Sequence, residues 1–331
     1  MYIFTQPLYI TSPYLPIMDQ RKLIQHGPSS LTLALPRKWL TERGLKKGNS
    51  LYVEPEGNRL IVSTEESINI GKISVNVTGL DRTSILLYVQ SLYRFGYNEI
   101  EIIFDKPTTI HYRTGKKVAV SSIIHYIVSR CIGAEIVQQI KNKITIKYIT
   151  KEKEEDFKII LRRIFLLLKD ASATLIDGIK EHDLTLIETI EDKHDNINNF
   201  VSYALRLLNK YGYPDVKKTC LYFHIIASID KIVDVLKYAA RDISQYKKRF
   251  NKETIAVFKH IQKSIDLYYT LFYKFDLATV DQLSNNRNFV KFEINKHIKK
   301  IPNEELVYLN NQKQILEILL DLTDFRMGLE Y

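Results

Sequence analysis

Three pairs of acidic residues stand four positions apart in stretches of helical period: Glu191 with Asp195, Asp230 with Asp234, and Glu317 with Asp321. At that spacing both carboxylates share one helix face, so two neighbouring helices could present four oxygen-rich groups to one cation. Left alone, like charges at i and i+4 slightly destabilise a helix, so each pair needs solvent, a cation or a basic partner. With 38 Asp and Glu among 331 residues, such pairs also arise by chance and then simply face water. Glu191 and Asp195 flank an apolar stripe, whereas Asp230 and Asp234 lie roughly opposite theirs. His194 falls within the stripe of its helix, as a core histidine or as a ligand.

A second group carries the opposite charge. From Arg21 to Lys47 there are seven basic residues, namely Arg21, Lys22, Arg37, Lys38, Arg43, Lys46 and Lys47, against the single acid Glu42. That local charge of +6 is more than half of the whole-chain value of +10. Phosphate neutralisation needs such clustering, because each contact releases counterions and the effects accumulate. A solvated basic face is the alternative.

Other classes of chemistry are not encoded. There is no nucleophile elbow, no His-Glu-x-x-His and no Walker loop, so the chain reads as a binding protein and not an enzyme. Arg113-Thr114-Gly115-Lys116-Lys117 lacks the strand-to-helix setting of a phosphate loop and reads as a solvated hairpin tip. Cys131 and Cys220 are too few for a disulfide framework and fit a reducing cytoplasm. No apolar run approaches the roughly 20 residues that span a bilayer, so no membrane insertion is expected. Residues 1–17 are apolar and aromatic, but three prolines and no basic start make a poor signal peptide. They read as a tail, a capping strand, or an upstream start, since Met18 begins the first recognisable module.

These groups must be positioned by three regions of different period, making a multidomain α+β chain. Residues 18–66 are strand-rich. Leu31, Leu33 and Leu35 alternate with Thr32 and Ala34 as a half-buried strand, and Pro36 and Gly44 enclose a short helix. Two strands joined by a Glu56-Gly57-Asn58 turn close the module. Some 45 residues cannot bury enough surface alone, so this module should complete its core by forming a homodimer. Residues 70–150 read as a small α/β sandwich, with a ferredoxin-like order one option. Its strands are predicted at 73–77, 99–104, 109–112, 134–140 and 143–149, and its helices at 83–95 and 120–132. From 152 to 331 the period is helical, in six stretches: 156–180, 184–210, 216–243, 252–274, 279–300 and 304–328. Gly212 with Pro214 separates the second from the third, and Asn303 after Pro302 is the expected cap of the last. The run from Asp183 weakly echoes that from Asp276, matching Asp-Leu and an acid at Glu188 and Asp281, which suggests two three-helix units in tandem.

The segment RKLIQHGPSSLTLALPRKWLTERGLKKGNSLYVEPEGNRLIVSTE, from Arg21 to Glu65, resembles the AbrB/MazE/SpoVT swapped-hairpin family. The matching features are a basic start, Gly27, Ser30, a Leu-rich strand into Pro36, Gly44-Leu45, Gly48 and a closing hairpin. That resemblance implies an interleaved dimer on a palindromic DNA site, with Arg21, Lys22, Arg37, Lys38, Arg43 and Lys46 as the contacts. Pro28-Ser29-Ser30 stands where AbrB-like members carry an arginine, which leans towards the MazE-like branch.

The segments IEDKHDNI and SIDKIVDVLKYAARDI resemble the acidic motifs of PhoU phosphate-signalling proteins, with ILEILLDL from Ile315 as the equivalent in a second repeat. The resemblance implies a pair of three-helix bundles with a divalent or iron-type metal cluster at Glu191, Asp195, Asp230, Asp234, Glu317 and Asp321. The second repeat departs from the pattern, with Ser284 and Asn288 opposite Glu191 and Asp195, so it offers one acid pair only. The three regions in this order resemble archaeal phosphate-uptake regulators. A DNA-binding regulator of phosphate uptake is therefore expected. The alternative is an adaptor that contacts a phosphate transporter component, its first module serving only to dimerise.

Overall fold

The computed structural model describes residues 20–56, 59–64, 71–150 and 156–331. The chain divides into two units, Met1–Ser67 and Ile68–Tyr331. Residues 1–17, the Gly57-Asn58 part of the expected turn and the boundaries near 66–70 and 151–155 lie outside the described residues.

In the first unit β1 (Leu23–Gln25) pairs antiparallel with β2 (Leu31–Leu33), placing Leu23 opposite Leu33. Gly27 turns the chain between them at φ 83°, a left-handed conformation that costs glycine little. Helix α1 (Arg37–Glu42) begins after Pro36, whose carbonyl accepts from Leu40 N, and Gly44 at φ 64° ends it. Strands β3 (Tyr52–Glu56) and β4 (Arg59–Ser63) pair antiparallel from Tyr52↔Ser63 to Glu56↔Arg59. The expected half-buried strand is shorter and more exposed than its alternation suggested: Leu31 is 61 % and Leu23 is 64 % exposed. No described residue of this unit is buried, because two small hairpins and a six-residue helix enclose no interior of their own.

The second unit opens with a four-stranded sheet in the order β5-β6-β10-β9. Strand β5 (Lys72–Asn76) passes through α2 (Arg82–Phe95) to its parallel neighbour β6 (Glu99–Ile103). A hairpin of β7 (Thr108–His111) and β8 (Lys116–Ala119) leads into α3 (Val120–Val128), with residues 113–115 at its tip as expected. Strands β9 (Ala134–Ile140) and β10 (Lys143–Tyr148) follow, β10 lying antiparallel between β6 and β9. This is not the ferredoxin-like order. That fold interleaves two βαβ crossovers in an antiparallel sheet, whereas here β5 and β6 pair in parallel and the crossovers run in succession, β5-α2-β6 between neighbours and then β6-α3-β9 across β10.

Alternation divides the sheet's faces. Val75, Ile100, Ile102, Ile144 and Ile146 are buried in the same core as Ile85 and Val89 of α2 and Ile123, Ile124 and Ile127 of α3. On the other face Lys72 bridges Glu99 and Glu101, and Lys143 and Lys147 pair with the same two acids. Asp81 caps α2 by accepting from Thr83 N and Ser84 N.

Seven helices complete the unit: α4 (Asp156–Glu181), α5 (Leu184–Glu188), α6 (Ile190–Tyr211), α7 (Val216–Ile243), α8 (Lys252–Tyr273), α9 (Leu277–His297) and α10 (Asn303–Gly328). The second expected stretch is broken at Thr189, which turns back to the carbonyl of Leu186 through both its N–H and its hydroxyl. Pro302, not Asn303, holds the cap position of α10, and Asn303 is the first helical residue. Helices α4, α6 and α7 pack on one another, as do α8 and α10 with α9 against α8, and α7 packs along α10. None of the helices among the described residues is long and apolar enough to cross a membrane.

Candidate functional site

Two groups of candidate residues are placed by these elements. In the first unit Arg21 and Lys22 precede β1, Arg37 and Lys38 form the first turn of α1, and Arg43 follows its last residue. Lys46 stands in a turn closed by Asn49, whose side-chain oxygen accepts from Lys46 N at 2.7 Å. Arg21, Lys22, Arg37, Lys38, Arg43, Lys46 and Lys47 are all exposed. Apolar Leu23, Ile24, Leu31, Leu33, Tyr52, Val53 and Leu60 of the same unit are also exposed. Scattered apolar side chains on a surface are ordinary, but these seven together with Ile61, in so small a unit, leave its described residues without the burial that folding requires.

The second group lies where the sheet region meets the helices. Four of the six candidate acids are brought together there, on α6 and α7, and each is met by a cation. Glu191 takes a two-pronged bond from Arg241, with Nε at 2.7 Å from Oε2 and Nη2 on Oε1. Asp195 Oδ1 accepts from Arg130 Nη2 at 2.7 Å, just past the end of α3. Asp230 accepts from Arg94 Nη2 of α2 at 3.2 Å and from Asn198 Nδ2 at 2.9 Å. Asp234 Oδ1 accepts from Lys237 Nζ at 2.7 Å. Asp230 and Asp234 are therefore half-buried against neighbouring elements and do not stand on a wet face, because Arg94 of α2 and Asn198 and His194 of α6 come to cover them.

His194 is the hub of this seam. It is 6 % exposed; its Nδ1 lies 2.9 Å from Asp195 Oδ1 and its Nε2 3.1 Å from Asp234 Oδ1 and 2.9 Å from Lys237 Nζ. It is thus a core histidine held by polar partners. Burial alone would lower its pKa, but the bonds to Asp195 and Asp234 outweigh that and raise it. Burial would raise Asp234, yet His194 and Lys237 hold its carboxyl well below the ordinary carboxylate range. For Asp195 burial also opposes ionisation, and His194 with Arg130 reverses the balance and lowers it.

Around this hub the α2–α6 contact is continuous. Gln90 Nε2 donates to Asn198 Oδ1 and Ser202 Oγ, both at 3.0 Å, and Arg94 Nε reaches the same Ser202 Oγ at 3.2 Å. Arg206 of α6 is completely buried and donates to Tyr93 O and Tyr97 O at 2.9 and 3.0 Å, with its guanidinium 4.1 Å from the ring centre of Tyr148. A charge this deep is tolerable because it answers carbonyls at the C-terminal end of α2, where the helix dipole is negative.

The remaining two acids are not brought together. Glu317 accepts from Arg287 Nε at 3.0 Å and pairs with Lys291 at 3.1 Å, both on α9. Asp321 is exposed and makes no ion pair among the described residues. Ser284 and Asn288 supply no acid. In the repeat alignment Arg287 takes the place of His194, and both reach an acid on the third helix of their own repeat.

The cations were not singled out by sequence reasoning. Arg94, Arg130, Lys237 and Arg241 are single basic residues with nothing in their local pattern to mark them; only Lys237 and Arg241, three and seven positions after Asp234, lay near a candidate. Among the described residues no group of three or more His, Cys, Asp or Glu is placed to hold a metal ion. Four carboxylates and four cations balance one another, so this donor set fits an ionic seam between packed elements and not a metal cradle. Comparison with protein-family models, with curated proteins and with solved structures found no match for this chain.

Proposed function

We propose that this chain is a DNA-binding regulator of phosphate uptake, with the first unit contacting DNA as a two-fold dimer and the helical region acting as a PhoU-like sensing domain. The observation that carries this reading is the first unit itself, a cluster of exposed cations on a fold whose apolar side chains are exposed among its described residues. A second copy would cover them and double the basic surface, and a two-fold dimer reads a palindromic site.

Replacing Lys38 by Ala should flatten the dependence of log affinity on log salt by about one unit and weaken binding alike on all sequences. An unchanged slope would remove Lys38 from the interface. Crosslinking to DNA across the genome at high and low phosphate tests the reading as a whole. Enrichment near transport genes in one condition is expected. Its absence in both favours the adaptor, a PhoU-like protein that contacts a transporter component and uses its first unit only to dimerise.

The implied metal cluster finds less support. A cation at Glu191, Asp195, Asp230 and Asp234 would have to displace Arg241, Arg130, Arg94 and Lys237, and releasing Arg94 and Arg130 would undo the bridges from α2 to α7 and from the end of α3 to α6.

A further inference from the structure

At one end of the helical bundle two loops are stitched together. Asn251, in the α7–α8 loop, donates Nδ2 to Lys300 O at 3.0 Å in the α9–α10 loop. Glu305, 1 % exposed, accepts from Asn251 N at 3.1 Å and from Tyr246 Oη at 3.0 Å. Its carboxylate is thereby turned inward, away from the surface that the loops form.

That surface is cationic. Lys247, Lys248 and Arg249 on the first loop and Lys252 at the start of α8 fall within six residues, and Lys299 and Lys300 stand on the second loop; all six are exposed. Lys248 pairs with Glu304 at 3.3 Å, whereas Arg249, Lys252, Lys299 and Lys300 make no ion pair among the described residues. Of these, Arg249 lies near enough to Glu181 to lower that acid's pKa; the gathered positive charge of the two loops is otherwise met by no ion pair among the described residues, and an anionic partner would relieve its repulsion. The neighbouring face of α9 continues the surface with exposed Asn288, Phe289, Phe292 and Asn295, and Lys296 lies over the Phe292 ring.

We infer that this end of the helical bundle binds the phosphate backbone of nucleic acid. The cations supply the phosphate contacts, and the carboxamides of α9 add hydrogen bonds that a hydrated sugar-phosphate chain can answer. A lipid surface fits less well, because membrane seating needs a gathered apolar face, and the asparagines beside Phe289 and Phe292 would lose hydration there without finding partners. The surface belongs to the second unit and does not depend on the first unit binding DNA.

The test uses the full chain with Arg249, Lys252, Lys299 and Lys300 all changed to Ala, a short labelled duplex of unrelated sequence, and titrations at several salt concentrations. The slope of log affinity against log salt should fall by about 3.6 units, close to 0.9 for each of the four phosphates no longer neutralised. Changing Lys252, Lys299 and Lys300 to Arg instead should keep the parent slope. Lys38→Ala in parallel reads the first unit, so failure of either site is seen separately. A quadruple variant with the parent slope overturns the inference. A parent slope together with abolished sedimentation on phosphatidylserine vesicles also overturns it, and assigns the surface to a membrane.

Discussion

His194 shows how much depends on one side chain. The groups facing it are Asp195 on its own helix, Asp234 and Lys237 on α7, and Arg130 beyond α3, through Asp195. Its pKa is raised above 6.5 on folding, so the stabilisation it contributes is complete below 6.5 and fades as pH rises through the folded value. The stability difference between the parent and His194→Gln, from urea unfolding at a series of pH values, should therefore be largest below pH 6.5 and shrink as pH rises through the folded value. A difference that is constant with pH would mean that His194 is neutral throughout, held by donation from Lys237. Asp234 acts in the opposite sense. Its depressed value contributes stability above the unfolded 3.8 that is lost only in strong acid.

At the scale of elements, the junction of α4 with α5 is decided by packing against intrinsic preference. Gly178 lies inside α4, where Ala would favour the helix by about 1 kcal/mol. A Cβ there would stand 2.5 Å from Ile187 Cγ1 and 3.2 Å from the backbone oxygen of Asp183. Gly178→Ala should therefore destabilise the protein by about 1–3 kcal/mol, as overpacking does, and lower its melting temperature. A stabilised variant would show that α5 can move away from α4 freely. The same contrast explains which elements were legible. The boundaries of α4, α7 and α8 follow local periodicity and capping, and the expected stretches match them closely. The break at Thr189 has no proline or glycine to announce it, because it arises from α5 folding back over Gly178.

For the whole molecule, the first unit sets the test. If its exposed leucines are covered by a second copy, Leu31→Glu with Leu33→Glu should leave single chains in light scattering where the parent gives dimers. Dimers that persist in the variant would move the interface elsewhere. Because the helical unit has its own buried core, its helical signal should be unchanged by this substitution. DNA affinity should fall steeply with the dimer, since two half-sites can no longer be engaged together.

Most strands, five of the six helical stretches and the basic cluster were legible in the order of residues, because each is a local matter of period, turn chemistry or composition, whereas β1, β8 and the break of the second stretch were not. The acids were legible too, but only as acids. What holds them was decided by tertiary structure: Arg94 meets Asp230 across 136 positions of sequence and Arg130 meets Asp195 across 65. The order β5-β6-β10-β9 is likewise a choice among pairings that local pattern permits equally. A carboxylate pair four residues apart has the same sequence signature whether water, a metal or an arginine faces it. Only the fold brings the partner, and here the partners are the chain's own cations.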